Sequence, residues 1–487
     1  MGKVLVCGAG IGGMVSGIYL ARSGHEVKIY EMNDSPGGKM NEFTKEGYRF
    51  DMGPSLITMP DVFTQFFIDI GKEMKDYFEL VPLESSAKYF WSDSTVFNSY
   101  TDLTKLSVEL EHVFGNFEKE NFFRYLNYGK IFYDLSESGF LNNEFRISNF
   151  MTLDGIKNFT KFISGRSLND ASNKFFKNKK LKQLMDRYAT FNGSSPYLAP
   201  QLFSLIPYVE HRFGSYYVKG GIYEITRSLR KLCEEFGIDI QYETKVTGFE
   251  TGSERIRKVF TESKEGRTSV TDDFDLVISN YTNSSELCGQ EYFRNDDWSS
   301  SAIILYIGVD KIFSELSHHN ILFSDNYENE FIDIFEKKIP PDDMTVYISI
   351  SKKDEPGDAP EGCENWFVLV NVPALKDNEN WSIDEINNYK SKILDKIDSF
   401  DFMTGESIRD HIIFSEVFTP DDFLDKYNCE HGSIYGLSSN SLYALLKRPT
   451  NKSYLYDNLY FVGGNTNPGG GVPLCFLSGK IVAGMIS

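Results

Sequence analysis

Lys3-Val4-Leu5-Val6-Cys7-Gly8-Ala9-Gly10-Ile11-Gly12-Gly13-Met14 opens the chain, and the reading of this stretch decides the fold. Lys3 to Cys7 is a short apolar run suited to a buried strand, Gly8 to Gly13 spells G-x-G-x-x-G, and Met14 to Ser23 has helical character. Gly8 permits the tight turn, Gly10 lets the backbone approach a pyrophosphate, and Gly13 allows close helix-to-strand packing. The helix start then points its amides and partial positive charge at the phosphates, with Ala9, Ile11 and Gly12 completing the loop. Gly24-His25 ends the helix, and Glu26 to Tyr30 reads as a second strand that finishes at Glu31. A carboxylate there suits the ribose hydroxyls and repels a 2′-phosphate, and Met32 follows it. Strand, loop, helix, strand and terminal acid together make a nucleotide site; a glycine turn alone would not.

A second glycine-rich stretch follows, Pro36-Gly37-Gly38-Lys39-Met40, and then Phe50-Asp51-Met52-Gly53-Pro54-Ser55. Backbone donors so soon after the ribose acid suit a cofactor longer than NAD, and they point to FAD. The chain closes on a matching element: a strand from Leu459 to Val462, a loop from Gly463 to Pro473, and a helix running to Ile486. Gly464, Asn465, Pro468, Gly470, Gly471 and Val472 in that loop are expected beside the flavin's O2 and N1 edge, where reduction builds negative charge. A flexible hinge at Gly469 to Gly471 is the blander reading, and the flanking strand and helix count against it.

The chain has 487 residues, 41% of them hydrophobic, enough for a large core and more than one domain. Seventy acidic residues against fifty basic ones give a net charge of −20, which opposes nucleic-acid binding and adhesion to anionic lipid through overall charge. No run of eighteen apolar residues occurs, so no membrane span is expected, and any membrane contact is local. The six cysteines, Cys7, Cys233, Cys288, Cys363, Cys429 and Cys475, form no C-x-x-C pair, so neither a zinc site nor a disulfide framework is expected. A reducing, intracellular setting fits. The 40 Phe and 28 Tyr exceed what core filling leads one to expect, and a long apolar ligand would use them.

Across essentially its whole length the chain resembles the carotenoid desaturases of the phytoene desaturase type. Within that group the stretch from Arg187 to Tyr197, RYATFNGSSPY, is most similar to the hydroxycarotenoid 3,4-desaturases, also called hydroxyneurosporene dehydrogenases. Phe213 to Gly221 and Leu316 to Ile321 fit the same family. The C-terminal loop of relatives often reads Thr-His-Pro where this chain has Thr466-Asn467-Pro468, so a proton-carrying role for that histidine has no counterpart here. The resemblance implies an α/β fold: a Rossmann-like FAD-binding domain of the amine oxidase type with a discontinuous α+β substrate domain. It also implies that Val246 meets the adenine through its backbone, and Asn280, at the end of the apolar run from Phe274, is expected at the same cofactor.

The expected division assigns 1–75, 215–290 and 415–487 to the FAD-binding unit. The substrate unit takes 76–214 and 291–414, with a helical part near 120–200 as the candidate for membrane contact. Ser301 to Val309, Thr345 to Ile350 and Trp366 to Val370 read as strands forming one wall of a cavity, and Ser382-Ile383-Asp384-Glu385 reads as a capping-box start of a helix lasting to about Phe400. From Lys174 to Lys182, lysines flank paired phenylalanines. This suits an interfacial segment that dips its rings into lipid, and it equally suits a solvated helix face.

No nucleophile triad, H-E-x-x-H or clustered metal ligands are present, so no metal is expected and the flavin carries the chemistry. The expected reaction moves hydride from an allylic carbon of a carotenoid to flavin and loses a neighbouring proton, extending the polyene. Asp51, Glu210 and Glu416 are possible bases, each better suited to a structural or cofactor-holding role, so the catalytic residue stays unassigned. His318 and His319, as sequence neighbours, are not expected to share a face and receive no catalytic role. With one complete G-x-G-x-x-G unit and no second nucleotide domain, oxygen or a membrane quinone is the expected electron acceptor. The setting that follows is cytoplasmic, peripheral to the inner membrane. Phytoene or diapophytoene desaturation shares every cofactor motif, flavin amine oxidation is a further enzyme reading, and a non-catalytic isoprenoid carrier on the same fold is the reading from a different class.

Overall fold

The structure is a computed structural model, and it describes residues 1–141, 165–280, 298–377, 379–441 and 448–486. Five short strands form a parallel sheet in the order Leu459–Phe461, Leu276–Ser279, Lys3–Cys7, Glu26–Tyr30, Asp239–Gln241. They come from widely separated parts of the chain, and they align because the apolar runs of the strands Leu459–Phe461, Leu276–Ser279 and Lys3–Cys7 are buried, as parallel sheets require. The register places Cys7 opposite both Tyr30 and Ser279, and Ser279 opposite Phe461. Four strands therefore end level, and the residues that follow them, Gly8, Glu31, Asn280 and Val462, emerge along one edge. Ligands of open parallel sheets bind at that carboxyl edge.

The helix Ile11–Arg22 leaves the first glycine loop, and the helix Val472–Ile486 leaves the last one. They pack against each other closely enough that a Cβ on Gly479 would lie 2.8 Å from Val15 Cγ1 and 2.9 Å from the Ser16 nitrogen. The two ends of the chain thus build one core, with Val15, Ile18, Phe476 and Val482 buried in it.

The second sheet has seven strands, in the order Ile412–Phe418, Ser301–Val309, Glu364–Val372, Val346–Ser349, His319–Leu322, Ser85–Phe90, Val96–Tyr100. The pairs are antiparallel except for His319–Leu322 beside Ser85–Phe90. Alternation along the strands divides its residues. Ile303, Leu305, Val368 and Val370 face a core closed by Tyr389, Ile393 and Ile397 of the helix Ile383–Asp398. Ile304, Phe367 and Leu369, one step out of phase, face the other way, into the cavity described below. The capping box read from Ser382 and Glu385 is formed, each side chain reaching the other's backbone N–H.

Over that second face lies a helical layer that includes Asn116–Ser136, Leu168–Phe175, Lys179–Asp186 and Leu205–Phe213. Of the two readings of Lys174 to Lys182, the one in which both rings dip into lipid does not fit. Phe175 and Phe176 do not present their rings outward: Phe176 is 2% exposed and Phe175 half-buried, their centroids 5.3 and 5.4 Å from the Tyr125 ring. The backbone turns there because Asn178 caps the next helix through the Lys180 and Leu181 N–H groups, rolling the aromatic pair into the core and leaving Lys174, Lys177 and Lys179 exposed. The solvated-face reading fits this local geometry. The five cysteines among the described residues are free thiols; Cys288, and the part of the 120–200 stretch from 142 to 164, lie outside the described residues. No helix among the described residues is long and apolar enough to cross a membrane.

Candidate functional site

One cavity of about 940 Å³ begins at the carboxyl edge of the parallel sheet and continues between the second sheet and the helical layer. Glycine builds its first end. A Cβ on Gly13 would sit 2.2 Å from the Gly8 carbonyl oxygen, and one on Gly12 would sit 2.7 Å from the Gly463 nitrogen, so the first and last glycine loops touch across positions that accept no side chain. The second glycine stretch joins them: the Gly37 N–H donates to the Ala9 carbonyl at 2.9 Å. Asn280 bridges the set, its side-chain amide accepting from the Gly10 N–H and donating to the Val462 carbonyl, both at 3.1 Å.

Glu31 is 4% exposed. Burial raises its pKa, and hydrogen bonds from Asn33, Ala9 and Met32 oppose that shift. Its Oε2 accepts the Ala9 N–H at 2.8 Å and its Oε1 the Asn33 N–H at 2.9 Å, which fixes the carboxylate at the cavity wall and ties the glycine turn to the second strand. Neither the helix from Ile11 nor that from Val472 has an acidic residue in its first turn, and Gly10 contributes no side-chain cap to the former. Neither helix thus brings a carboxylate of its own to its N-terminus, which suits them to phosphate and to a flavin edge that gains negative charge. By loop geometry, donor set and charge, these residues fit FAD.

Gly8, Gly10, Ile11, Gly12, Glu31, Met32, Gly38, Lys39, Met40, Gly53, Pro54, Ser55, Val246, Asn280, Gly464, Asn465, Pro468, Gly470, Gly471 and Val472 all line this cavity. Ala9 and Gly13, expected with them, do not: the Ala9 N–H is committed to Glu31, and Gly13 faces the Gly8 carbonyl and Val6. Asn467, at the family's histidine position, is also outside the lining, its carbonyl accepting from Asn451 Nδ2 at 2.9 Å.

Of the three acids considered as bases, only Glu210 reaches the cavity. It accepts from Ser86 Oγ at 2.8 Å and the Tyr188 hydroxyl at 2.7 Å. Asp51 is bound to Arg49 at 2.9 Å and to the Ile222 N–H at 3.0 Å, and Glu416 pairs with Lys45 at the surface.

Sequence reasoning missed several residues of the far end. His318 and His319 do lie together, ring centroids 4.2 Å apart, because His319 begins a strand while His318 is still in the loop before it. His319 lines the cavity; its Nδ1 is 2.9 Å from the Tyr347 hydroxyl, which in turn hydrogen-bonds Ser55 Oγ. Burial, reinforced by His318 and Arg187, lowers its pKa well below the usual histidine value, so the ring stays neutral. Arg187, Tyr327, Glu330 and Tyr435 also line the cavity, as does Arg448, which burial pushes down to about 10. The alternation of His319 and Ile321 was a usable signal, since a strand that turns Ile321 to a ligand turns His319 the same way. Arg187 stood inside the family stretch at Arg187 to Tyr197 and was not singled out.

Comparison with known proteins agrees with this geometry. The family described as flavin containing amine oxidoreductase matches residues 11–327. The chain is 37% identical to a 1-hydroxycarotenoid 3,4-desaturase of Flavobacterium sp., covering 100% of this chain and 99% of that one. It is 32% identical to a 4,4′-diapolycopene oxygenase of Methylomonas sp., covering 99% and 97%. Among solved structures it is similar in fold to a putrescine oxidase bound to putrescine, with a TM-score of 0.64 at 12% identity over 100% of this chain and 98% of that one. With its glycine loops gathered on one cavity and relatives matched over their full length, the chain belongs to the flavin-containing amine oxidoreductases and, among them, to the FAD-dependent carotenoid desaturases.

Proposed function

We propose that this chain introduces a carbon–carbon double bond into an acyclic carotenoid carrying a 1-hydroxyl group, in carotenoid biosynthesis. The observation that carries the reading is the continuity of the cavity: its glycine-lined end runs on into a chamber walled by Tyr133, Phe140, Leu202, Phe203, Leu205, Ile206 and Val209. A small amine needs no such chamber, whereas a polyene does. FAD, when bound, supplies the acceptor for a hydride from an allylic carbon, and the substrate then loses a proton from the neighbouring carbon.

In this reading the cavity-lining glycine-loop residues, with Glu31, Lys39, Met40, Val246 and Asn280, hold the cofactor, and Ala9 and Gly13 shape the turn behind them. The apolar wall aligns the chain and excludes water, and aromatic faces stabilise positive charge that develops along the polyene. The division into a cofactor unit of 1–75, 215–290 and 415–487 and a substrate unit of 76–214 and 291–414 belongs to the same proposal. So do peripheral attachment to the inner membrane from the cytoplasmic side and electron delivery to oxygen or a quinone.

The test is incubation of the purified yellow holoprotein with a 1-hydroxylated acyclic carotenoid and with its unhydroxylated counterpart, with products separated by chromatography and weighed by mass spectrometry. A product two hydrogens lighter from the hydroxylated polyene is expected. Conversion of the unhydroxylated polyene alone, or a product that has gained oxygen with no added double bond, overturns the proposal.

A further inference from the structure

Arg187 opens the short 3-10 helix Arg187–Asn192 and borders the cavity. A guanidinium at such a site is ordinarily paired with a carboxylate, because an unpaired buried charge is costly. Among the described residues none pairs with this one. Its hydrogen bond goes from Nη1 to the Tyr89 hydroxyl at 3.1 Å, and the rings of Tyr89 and Phe191 flank it, with centroids 5.5 and 5.1 Å from the guanidinium carbon. Glu210, whose charge favours the cation, is already engaged by Ser86 and Tyr188. Burial acts against the charged form, and the neighbouring Tyr89, Tyr188 and Glu210 more than offset it, so Arg187 remains charged. A guanidinium carries five N–H donors in one plane, and this one retains donors that no described residue takes, at the border of the cavity.

An occupant that suits both this donor and the apolar walls beyond the cofactor end is mostly hydrocarbon and carries an oxygen acceptor. That acceptor is better neutral than anionic, since the Glu210 carboxylate, whose charge already favours the Arg187 cation, also borders the cavity and His319 stays neutral. Position matters as well. The far end of the same 3-10 helix, Asn192, lies beside the last glycine loop, its Oδ1 3.5 Å from where a Cβ on Gly470 would stand. Arg187 is five residues back, roughly 10 Å away at the 3-10 rise. A fixed positive charge would oppose a developing carbocation at close range, so this residue belongs at an end group and not at the reacting bond.

We propose that Arg187 anchors a neutral oxygen, hydroxyl or carbonyl, at one end of the bound polyene, and so sets which end enters first and how far it slides. This rests on the reading of the cavity as a polyene site. A hydrogen bond to a charged donor predicts a preference of roughly 10- to 100-fold for an oxygen-ended polyene over its deoxy counterpart.

The experiment measures binding, by quenching of the protein's intrinsic fluorescence in detergent micelles, of a 1-hydroxylated polyene and its deoxy analogue, both already fully conjugated so that neither reacts. The wild-type holoprotein is compared with Arg187→Met and Arg187→Lys at matched flavin content. The expected result is a wild-type preference of at least 10-fold that falls to near one in Arg187→Met, with affinity for the deoxy polyene kept. Arg187→Lys, which keeps charge without the planar fork, is expected to lose at least threefold of the preference. A wild-type preference near one, a preference unchanged in Arg187→Met, or an equal loss for both polyenes overturns the anchor. Should Arg187→Met fail to fold, the wild-type ratio and Arg187→Lys decide. Turnover is scored separately, so a chain that binds with this preference but dehydrogenates neither polyene sinks the proposed function and leaves the anchor standing.

Discussion

Glu330 is a carboxyl group 2% exposed, and its three hydrogen bonds all come to its oxygens: from Ser324 Oγ at 2.6 Å, Thr345 Oγ1 at 2.7 Å and the Thr345 N–H at 3.1 Å. Burial is the largest influence on its titration and pushes its pKa from 4.5 up to about 7, the three hydrogen bonds only partly opposing it. A raised carboxyl pKa means that the folded chain holds a proton the unfolded chain has released. Between about 4.5 and 7 the folded state is then the more protonated one, so this residue's contribution to stability falls as pH rises and levels off above about 7. The slope from one such group is at most about 1.4 kcal/mol per pH unit. Glu330→Gln removes the titration while keeping the shape, so thermal denaturation from pH 5 to pH 7.5 should show a flatter decline in Tm than the wild type. An identical decline in both proteins would show that Glu330 is ionised in the fold throughout.

Two helices from opposite ends of the chain pack closely at the site. Gly479 faces Val15 and Ser16 at a spacing that admits no β-carbon, so Gly479→Leu forces the helix Val472–Ile486 away from Ile11–Arg22. Overpacking of this kind costs about 1–3 kcal/mol, and it displaces the N-termini that both glycine loops feed. A lower Tm together with a reduced flavin-to-protein absorbance ratio is expected; a full flavin complement at unchanged Tm would place the loops' alignment elsewhere. The same elements show what was legible in the sequence. The strands at Lys3–Cys7, Glu26–Tyr30 and Ser301–Val309 and the capped helix after Ser382 could be read because period, turn chemistry and caps are local signals. The cofactor end of the cavity was legible for the same reason, since glycine loops announce themselves. The polar far end was not. Arg187, His319 and Tyr347 sit on three separate elements and meet only after the sheet and the helical layer pack, and no spacing along the chain records that. Phe175-Phe176 misled in the opposite sense: two aromatics among lysines look amphipathic, and only the turn at Asn178 reveals that they point inward.

At the scale of the molecule, the question is what keeps a cavity built from both ends of the chain in register with a sheet built from its middle. Arg49 supplies one clamp. Its Nε and Nη2 each donate to Asp358 at 2.7 Å, its Nη1 to Asp51 at 2.9 Å, and its Nη2 also to the Tyr217 hydroxyl at 2.7 Å. Asp51 in turn accepts the Ile222 N–H at 3.0 Å. The strand Tyr48–Asp51 leads directly into the Gly53–Ser55 wall of the cavity, Asp358 ends the 3-10 helix Pro356–Asp358 ahead of the inner strand Glu364–Val372, and Ile222 precedes the helix Tyr223–Glu235. One guanidinium therefore fixes three parts of the structure. The side chains of Arg49, Asp51 and Asp358 are 15%, 8% and 4% exposed, so solvent cannot replace the cation. Removing it in Arg49→Met strands two carboxylates and should cost about 3–5 kcal/mol. Adding Asp358→Asn removes one stranded charge and should restore part of the lost Tm, which a surface pair would not do. Thermal denaturation of the wild type, Arg49→Met and the double variant checks this, with flavin retention measured alongside. If Arg49→Met melts within a degree of wild type, the clamp is ornamental, and the two sheets are held in register by apolar packing alone.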